Sequence, residues 1–188
     1  EAVTVELRRR GHLVEIVSPD LFRSVPCPSY AEIRLALTGV RGVGRRLAAF
    51  DPDAVHIATE GPLGLAGRRW CVQRGWPFTT AFHTQFPDYV AARAGLPVDW
   101  SWRYLRWFHG PASAVLAATP ALRRMLAERG IAHSAPWGRG VDHALFTPGA
   151  EPPILFADLP RPILLYVGRV AVEKNLDAFL GGNHPGSR

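Results

Sequence analysis

The sequence predicts an α/β fold in which parallel β-strands alternate with helices that cover both faces of the sheet. Three observations lead to this prediction. Short apolar runs of strand length alternate with longer segments of helical spacing along most of the 188 residues. Polar residues follow several of these runs, at the position where parallel strands end and ligands bind. A proline-rich segment, residues 147–162, separates the last strand–helix pair from the rest.

Short apolar runs are predicted to form the strands. They cover residues 13–17, 33–37, 54–58, 78–82, 114–118 and 163–167. The run at 163–167 is apolar throughout, which is typical of a strand that is buried on both faces. Residues 18–29 contain several prolines and are predicted to form a loop.

Segments with helical spacing lie between the strands. They cover residues 1–10, 43–50, 62–75, 85–95, 100–110 and 120–129, and a last helix is predicted to begin near residue 172 or 173. Gly11 ends the first helix. Pro62 occupies the first turn of another helix, where its missing N–H has no partner to lose.

These elements predict one domain and the beginning of another. Residues 1–146 are predicted to form the first domain, residues 147–162 an interdomain linker, and residues 163–188 the start of a second domain. The last segment is too short to fold alone. The chain also begins inside a helix, without the strand that should precede it, so we expect a piece of a longer protein that is truncated at both ends.

Composition narrows the class of protein. With 47% apolar and 20% charged residues, the chain is globular rather than disordered. No apolar run reaches the roughly 18 residues that a membrane span needs, and no leader peptide is visible. Two cysteines without metal-site spacing indicate a reducing compartment, so we expect a cytoplasmic protein. The histidines show no ligand spacing, which predicts that no metal is bound.

The net charge of +6 favours anionic partners, namely phosphates, an anionic lipid surface or nucleic acid. Nucleic-acid binding rests on this charge alone, and we expect no nucleic-acid partner. Residues 100–108 combine five aromatic side chains with two arginines. Three interpretations of this segment stay open: a helix at a membrane interface, a platform for nucleic-acid bases, or part of the domain core.

The turn after residues 163–167 has the features of a diphosphate site. Gly168 and Arg169 follow the apolar run directly, and Lys174 lies near the start of the predicted helix. A helix N-terminus attracts anions, Arg binds phosphate oxygens bidentately, and Lys adds a compact charge. The alternative is that Arg169 and Lys174 are solvated charges around an ordinary strand–helix turn.

Polar residues also follow two strands of the first domain. Glu60 and Gly61 come after the strand at 54–58, and His83 comes directly after the strand at 78–82. A His at a strand end can donate a hydrogen bond to a sugar hydroxyl or a phosphate oxygen, or act as a general acid or base. Each residue taken alone has a purely structural alternative, but their joint position at strand ends favours a ligand site.

Four motifs, taken in order along the chain, resemble family 4 glycosyltransferases of the GT-B fold. They are HIATEGPLG at residues 56–64, FHTQFPDY at 82–89, WGRGVDHALFTPG at 137–149, and YVGR followed by EKN at 166–175. The resemblance is to the bacterial α-mannosyltransferases of that family, which decorate glycolipids. It implies a GT-B-type Rossmann-like N-terminal domain on the acceptor side, followed by the first strand and helix of a Rossmann-like domain that binds a nucleotide-sugar.

The resemblance also implies roles for individual residues. The catalytic group would be His83, Arg169 and Lys174. The donor-binding group would be Gly168, Arg169, Lys174, Arg139, Gly140 and Asp142. The acceptor-side group would be Glu60 and Gly61. The chain departs from the family pattern because it lacks the N-terminal Gly-rich loop, the pair of glutamates eight positions apart and the pocket for the base, all of which contact the donor in family members.

The implied function is that of a retaining glycosyltransferase. It would transfer a sugar to a hydroxyl group of a lipid or glycan. The expected donor is GDP-mannose, which supplies mannose, and the other donor considered is a UDP-sugar. No metal or other cofactor is expected. The implied partners are the nucleotide-sugar and the lipid or glycan acceptor, with an anionic membrane surface as a further partner at the inner face of the cell membrane. The alternative is a non-catalytic fragment that binds an acceptor or a membrane surface and transfers nothing.

Overall fold

The computed structural model describes residues 2–27, 30–83, 97–138, 140–149, 154–156, 158–168, 170 and 174–182, with only the backbone given for residues 30–32 and 154. The chain divides into two compact units, Glu1–Arg139 and Gly140–Arg188. The domain limits predicted from the sequence, at residues 146 and 162, are not tested by this division and stay a prediction.

The first unit contains five of the helices and all of the strands that are described. The helices are α1 (Ala2–Arg9), α2 (Val40–Phe50), α3 (Pro62–Arg74), α4 (Val98–His109) and α5 (Pro120–Glu128). The strands are β1 (Ser24–Cys27), β2 (Tyr30–Ala36), β3 (Val55–Ile57), β4 (Phe78–Phe82), β5 (Ala114–Ala117) and β6 (Ser134–Pro136). In the second unit the structure describes one α-helix, α6 (Leu176–Leu180), and a 3-10 turn at Ile154–Phe156.

The centre of the first unit is a parallel sheet in the order β3-β4-β5-β6. Helices α3, α4 and α5 lie between successive strands along the chain. Strands β1 and β2 form a separate antiparallel pair. The predicted α/β fold with a parallel sheet and flanking helices is confirmed. Because all four strands run in the same direction, the residues that follow them meet at one edge of the sheet.

Helix α4 packs into both apolar clusters of this unit. One cluster consists of Phe82, Trp102, Leu105, Val115, Ala117, Leu126 and Ile131. The other consists of Ile57, Trp70, Cys71, Phe78, Phe108 and Ala112. Full burial of a Leu or Phe side chain contributes about 1.5–3 kcal/mol, so α4 ties the two clusters together through Leu105 and Phe108.

Most of the aromatic segment at residues 100–108 lies in the domain core, which was one of its three interpretations. Trp102 and Phe108 are buried, as the core interpretation predicts. Trp100 and Trp107 are 71% and 53% exposed and lie outside the two clusters. The segment is therefore a core helix with two exposed tryptophans.

Helices α2 and α3 approach each other closely where Gly44 faces the indole ring of Trp70. A Cβ built on Gly44 would overlap that ring. The absence of a side chain at position 44 allows the two helix backbones to come together. Trp70 is 3% exposed as a result.

Several predicted elements differ from the structure. Residues 13–17 are not a strand, and Leu13 and Ile16 are 88% and 51% exposed. Residues 163–167 are not a strand either, and Leu165 and Val167 are 59% and 85% exposed. In the described part of the chain neither run has a neighbouring strand, and a strand without a partner leaves its backbone N–H and C=O groups unpaired.

One further prediction is corrected in part, and two fall on residues outside the described ranges. The loop predicted at 18–29 contains β1, which pairs with the confirmed second strand. The start predicted for the last helix, residue 172 or 173, lies outside the described residues, whereas α6 begins at Leu176 after Asn175, which has a left-handed backbone with φ 47°. The helix predicted at 85–95 falls outside the described residues.

Candidate functional site

The loop after β3 is fixed by a close approach between its backbone and α3. Gly61 is the N-cap residue of α3 and Pro62 its first residue. A Cβ built on Gly64 would overlap the carbonyl oxygen of Thr59. A glycine at position 64 therefore lets the first turn of α3 pack directly on the loop that carries Glu60.

Glu60 is held by two residues of α4. The hydroxyl of Tyr104 donates a hydrogen bond of 2.6 Å to the backbone carbonyl oxygen of Glu60. Nε2 of His109 lies 3.3 Å from Oε1 of Glu60. The Glu60 side chain is 20% exposed, whereas the His109 side chain is fully buried. The carboxylate therefore reaches the surface at the carboxyl edge of the sheet with one side resting on a buried imidazole.

The pKa of Tyr104 reflects its burial and the charges of Glu60 and Arg68. Burial, together with the negative charge of Glu60, raises the pKa of Tyr104 to about 12, and the positive charge of Arg68 opposes this shift. The phenol is therefore neutral at physiological pH and keeps its proton for the hydrogen bond to the Glu60 carbonyl oxygen.

Arg68 of α3 braces the C-terminal end of α4. Its Nε donates to the carbonyl oxygen of Phe108 at 2.8 Å, and its guanidinium also donates to the carbonyl oxygen of Trp107 at 2.6 Å. The same guanidinium lies 3.9 Å from the centroid of the Trp107 ring. The last carbonyls of a helix lack partners within the helix and carry partial negative charge, so a cation stabilises them. This brace holds α4 where Tyr104 and His109 reach Glu60.

His83 follows β4 and is exposed. It lies close enough to His56 for its positive charge to affect the pKa of His56. Partial burial of His56, and then the positive charge of His83, lower the pKa of His56. Nδ1 of His56 lies 2.9 Å from Oγ1 of Thr79, and its ring stacks on Trp137 with centroids 5.5 Å apart. The carboxyl edge thus presents an exposed His beside a stacked His–Trp pair.

Gly140 and Asp142, two of the predicted donor-binding residues, lie near the start of the second unit. Gly140 and Asp142 are exposed, and Oδ1 of Asp142 accepts hydrogen bonds from the backbone N–H groups of Ala144 and Leu145 at 3.0 and 3.3 Å. Asp142 therefore caps a turn, which is also its simplest structural role. Arg139 lies outside the described residues.

The predicted diphosphate turn is described only in part. Gly168 and Lys174 are exposed, and Arg169 lies outside the described residues. Lys174 precedes α6, whose five residues begin at Leu176. The roles of Gly168, Arg169 and Lys174 stay predictions.

No three His, Cys, Asp or Glu residues within the described ranges are grouped so that they could hold a metal ion. None of the helices described here has the length and apolar character needed to cross a bilayer.

A parallel sheet with polar residues gathered at its carboxyl edge is the architecture of ligand-binding α/β proteins. Comparison with known proteins shows to which family of such proteins this chain belongs. The model of glycosyltransferase family 4 matches residues 2–145, and the chain belongs to that family. The family resemblance seen in the four sequence motifs is therefore confirmed. No solved structure gave a significant match.

The curated relatives include bacterial mannosyltransferases. The chain is 30% identical to a GDP-mannose-dependent α-mannosyltransferase of Mycobacterium tuberculosis, over 95% of this chain and 53% of the relative. It is also 30% identical to a protein of the same name from Mycolicibacterium smegmatis, over 91% of this chain and 51% of the relative. A sulfoquinovosyl transferase of Arabidopsis thaliana is 26% identical over 82% of this chain and 32% of its own length. The chain thus spans about half the length of the mycobacterial relatives.

The sequence predicts Glu60 and His83 as candidate site residues but does not predict the residues that surround them. Tyr104 and His109 contact Glu60 only after the chain has folded. Likewise, only folding brings His56 near His83 and stacks it on Trp137. One signal was available: His56 opens the first family motif and Trp137 opens the third. No local pattern marks Tyr104, inside the aromatic segment at 100–108 that had three interpretations, or His109, which directly follows it.

Proposed function

We propose that the protein is a retaining glycosyltransferase that transfers mannose from GDP-mannose to a hydroxyl group of a lipid or glycan. The observation that carries this proposal is the match to glycosyltransferase family 4 across residues 2–145, together with mycobacterial relatives whose names specify GDP-mannose and an α-mannosyl product. A UDP-sugar is the alternative donor. The sulfoquinovosyl transferase among the relatives supports keeping the sugar open, since its name specifies a different one.

In the proposed mechanism, two cationic side chains bind the leaving group. Arg169 and Lys174 bind the donor diphosphate and stabilise the negative charge that grows as the bond to the sugar breaks. Gly168, Gly140, Asp142 and Arg139 complete the donor-binding set. With two cations at the leaving group, the reaction proceeds without a metal ion.

His83 is proposed to orient the donor sugar by hydrogen bonding. The acceptor hydroxyl attacks the anomeric carbon from the face that the diphosphate leaves, and its proton passes to the departing diphosphate oxygen. The exposure of His83 supports this role, because a ligand can reach its ring. Glu60 and Gly61 are proposed to face the acceptor. The partial exposure of the Glu60 carboxylate, 20%, leaves it able to accept a hydrogen bond from an acceptor hydroxyl.

We also propose that an anionic membrane surface is a partner, through the groove between α2 and α3. The groove has a volume of about 630 Å³ and is lined by Val40, Arg41, Gly44, Arg45, Ala48, Trp70, Gln73 and Arg74. Neither helix contains an acidic residue, so positive charge on this face is not balanced from within the pair. Each Arg near an anionic lipid surface contributes about 1 kcal/mol.

Sedimentation with vesicles of phosphatidylglycerol tests the membrane proposal. Replacing Arg41 and Arg45 together by Gln should weaken binding by roughly 30-fold. The matched control replaces Arg8 and Arg9 of α1 by Gln, which removes the same charge from another exposed helix and should have a smaller effect. Equal losses for the two pairs would show that net charge, and not this groove, attracts the protein to vesicles.

The transfer itself is tested with the protein expressed from its complete open reading frame. GDP-mannose, UDP-glucose and UDP-galactose are each supplied with octyl α-mannoside or diacylglycerol as acceptor. We expect mannosyl transfer from GDP-mannose, and proton NMR of the product should show an α-linkage, which is retention of the donor configuration. A β-linked product would contradict the retaining mechanism. Binding of vesicles or glycoside without transfer from any donor would instead support the non-catalytic alternative.

A further inference from the structure

Both ring nitrogens of His109 lie close to polar side-chain atoms although the residue is completely buried. Nδ1 lies 2.8 Å from Oγ1 of Thr80, and Nε2 lies 3.3 Å from Oε1 of Glu60. Thr80 is fully buried too. Nε2 has no other hydrogen-bond partner among the described residues, and its contact with Glu60 is not aligned as a full hydrogen bond. The proposed transfer mechanism gives His109 no task, so its chemistry needs another explanation.

The geometry favours one tautomer of this imidazole. If Nε2 were unprotonated, its lone pair would face the lone pairs of a carboxylate in a buried site, which is unfavourable. If Nε2 carries the proton, it points at Glu60, and Nδ1 accepts a hydrogen bond from the hydroxyl of Thr80. In that arrangement each of the three side chains has a complementary neighbour. Thr80 thus fixes the tautomer that presents an N–H to Glu60.

The same helix also holds the backbone of Glu60. Tyr104 donates to the Glu60 carbonyl oxygen at 2.6 Å, and Arg68 anchors the helix end that carries His109. Glu60 is therefore attached to α4 through its main chain and its carboxylate. Its side chain remains 20% exposed, so part of the carboxylate is available to a ligand.

We propose that His109 is a positioning residue for acceptor binding. Its Nε2–H holds one oxygen of the Glu60 carboxylate and turns the other toward an uncharged, hydroxyl-bearing part of the acceptor. A carboxylate accepts hydrogen bonds from sugar or glycerol hydroxyls and repels a phosphate. This inference rests on the proposed function, because it takes Glu60 as the residue that faces the acceptor.

The test compares two replacements of His109 in the protein expressed from its complete reading frame, with GDP-mannose as donor and octyl α-mannoside as acceptor. His109→Leu has similar bulk but no N–H, and it should raise the acceptor KM about 10-fold, as expected for one lost hydrogen bond to a charged group. The donor KM should be unchanged. His109→Gln can still donate toward Glu60 and should recover most of the loss. His12→Leu, at an exposed histidine, is the control for histidine removal and should leave all constants unchanged.

A double-mutant cycle with Glu60→Gln shows whether His109 acts through Glu60. If it does, His109→Leu should change the acceptor KM less than about twofold in the Glu60→Gln background, because the interaction is already lost. Independent, multiplying effects would overturn the proposal. So would equal acceptor KM values for His109→Leu and His109→Gln, or a rise in the donor KM alone.

If His109→Leu fails to fold, a pair of variants at Thr80 replaces it. Thr80→Val removes the hydroxyl that fixes the tautomer and should raise the acceptor KM, whereas Thr80→Ser keeps the hydroxyl and should not. Equal constants for these two variants would also overturn the proposal. A wild-type protein that transfers no sugar contradicts the proposed function, whereas an active wild type whose His109 and Thr80 variants keep a normal acceptor KM contradicts only the role of His109.

Discussion

Gly64 lies directly beneath the backbone carbonyl of Thr59, so close that a Cβ at position 64 would overlap the carbonyl oxygen. The loop that carries Glu60 and the first turn of α3 therefore approach each other closely at the Gly64 backbone. A carbonyl cannot rotate away as a flexible side chain can. This contact sets the position of Glu60 relative to the sheet.

Replacing Gly64 by Ala should destabilise the protein by about 1–3 kcal/mol, because the methyl group forces the loop away from α3. Gly67→Ala is the matched control on the same helix, since its Cβ would meet only the Ile57 side chain, Cδ1 at 3.7 Å and Cγ1 at 4.0 Å, which are ordinary contact distances. That change should be neutral or stabilising by up to about 1 kcal/mol, as expected for Gly→Ala inside a helix. Urea unfolding of both variants measures the difference. Equal stabilities would show that the loop does not pack on Gly64 in solution.

Arg68→Lys should destabilise the protein by about 1–3 kcal/mol although the charge is kept. The planar guanidinium of Arg68 donates to the carbonyl oxygens of Trp107 and Phe108 and also lies over the Trp107 ring. A lysine ammonium group cannot make all three contacts at once. Arg69→Lys, at an exposed neighbour on the same helix, should change stability little. Thermal unfolding compares the two. An unchanged melting temperature for Arg68→Lys would argue against the brace between α3 and α4.

The pKa of Tyr104 should fall when Glu60 is replaced by Gln. Burial raises this pKa first and the Glu60 charge second, so Glu60→Gln removes one cause and leaves the other. The difference in ultraviolet absorbance between the wild type and Tyr104→Phe isolates the titration of this tyrosine from the others. An unchanged pKa would show that the charge of Glu60 does not act on Tyr104.

The same shift predicts how stability changes at alkaline pH. The folded pKa of Tyr104, about 12, lies above the unfolded value of 10.0. Its contribution to stability is complete below pH 10 and is lost as the pH rises toward 12, because the unfolded chain releases the proton first. Tyr104→Phe should remove this component of the pH dependence.

The pKa of His56 should rise toward its ordinary value in His83→Gln. Partial burial is the main cause of the lowered pKa and the positive charge of His83 the second, so the return should be incomplete. Because the folded pKa is lowered, the unfolded chain takes up the proton first, and stability should fall as the pH drops below about 6.5. NMR titration of the His56 ring provides the pKa. The same value in the wild type and in His83→Gln would mean that the two rings do not sense each other.

The sequence predicted three strands of the parallel sheet, β3, β4 and β5, but not β6, and it predicted two strands, at 13–17 and 163–167, that do not form. The runs at 78–82 and 114–118 became β4 and β5 because each has a parallel neighbour on both sides. The run at 163–167 is apolar throughout, but it has no neighbouring strand among the described residues and is irregular. Local pattern shows which side chains favour burial, whereas a strand also needs another backbone to satisfy its N–H and C=O groups.

The candidate site shows the same limit. Position after a strand identified Glu60 and His83, since topology alone brings strand ends to one edge. The side chains that hold Glu60 come from α4, more than forty positions away along the chain, and the choice of Tyr104 and His109 depends on the rotation of that helix. That rotation is set by the burial of Trp102, Leu105 and Phe108, which only the packed structure reveals.

We propose that this protein transfers a sugar from a nucleoside diphosphate, with Arg169 and Lys174 at the diphosphate leaving group. The most direct measurement is the rate at which radiolabelled mannose passes from GDP-mannose to octyl α-mannoside, compared between the wild type, Arg169→Ala and the control Arg161→Ala. The account predicts that Arg169→Ala lowers this rate roughly 100-fold or more, with Arg161→Ala close to the wild type. An Arg169→Ala protein that transfers mannose at the wild-type rate would contradict it.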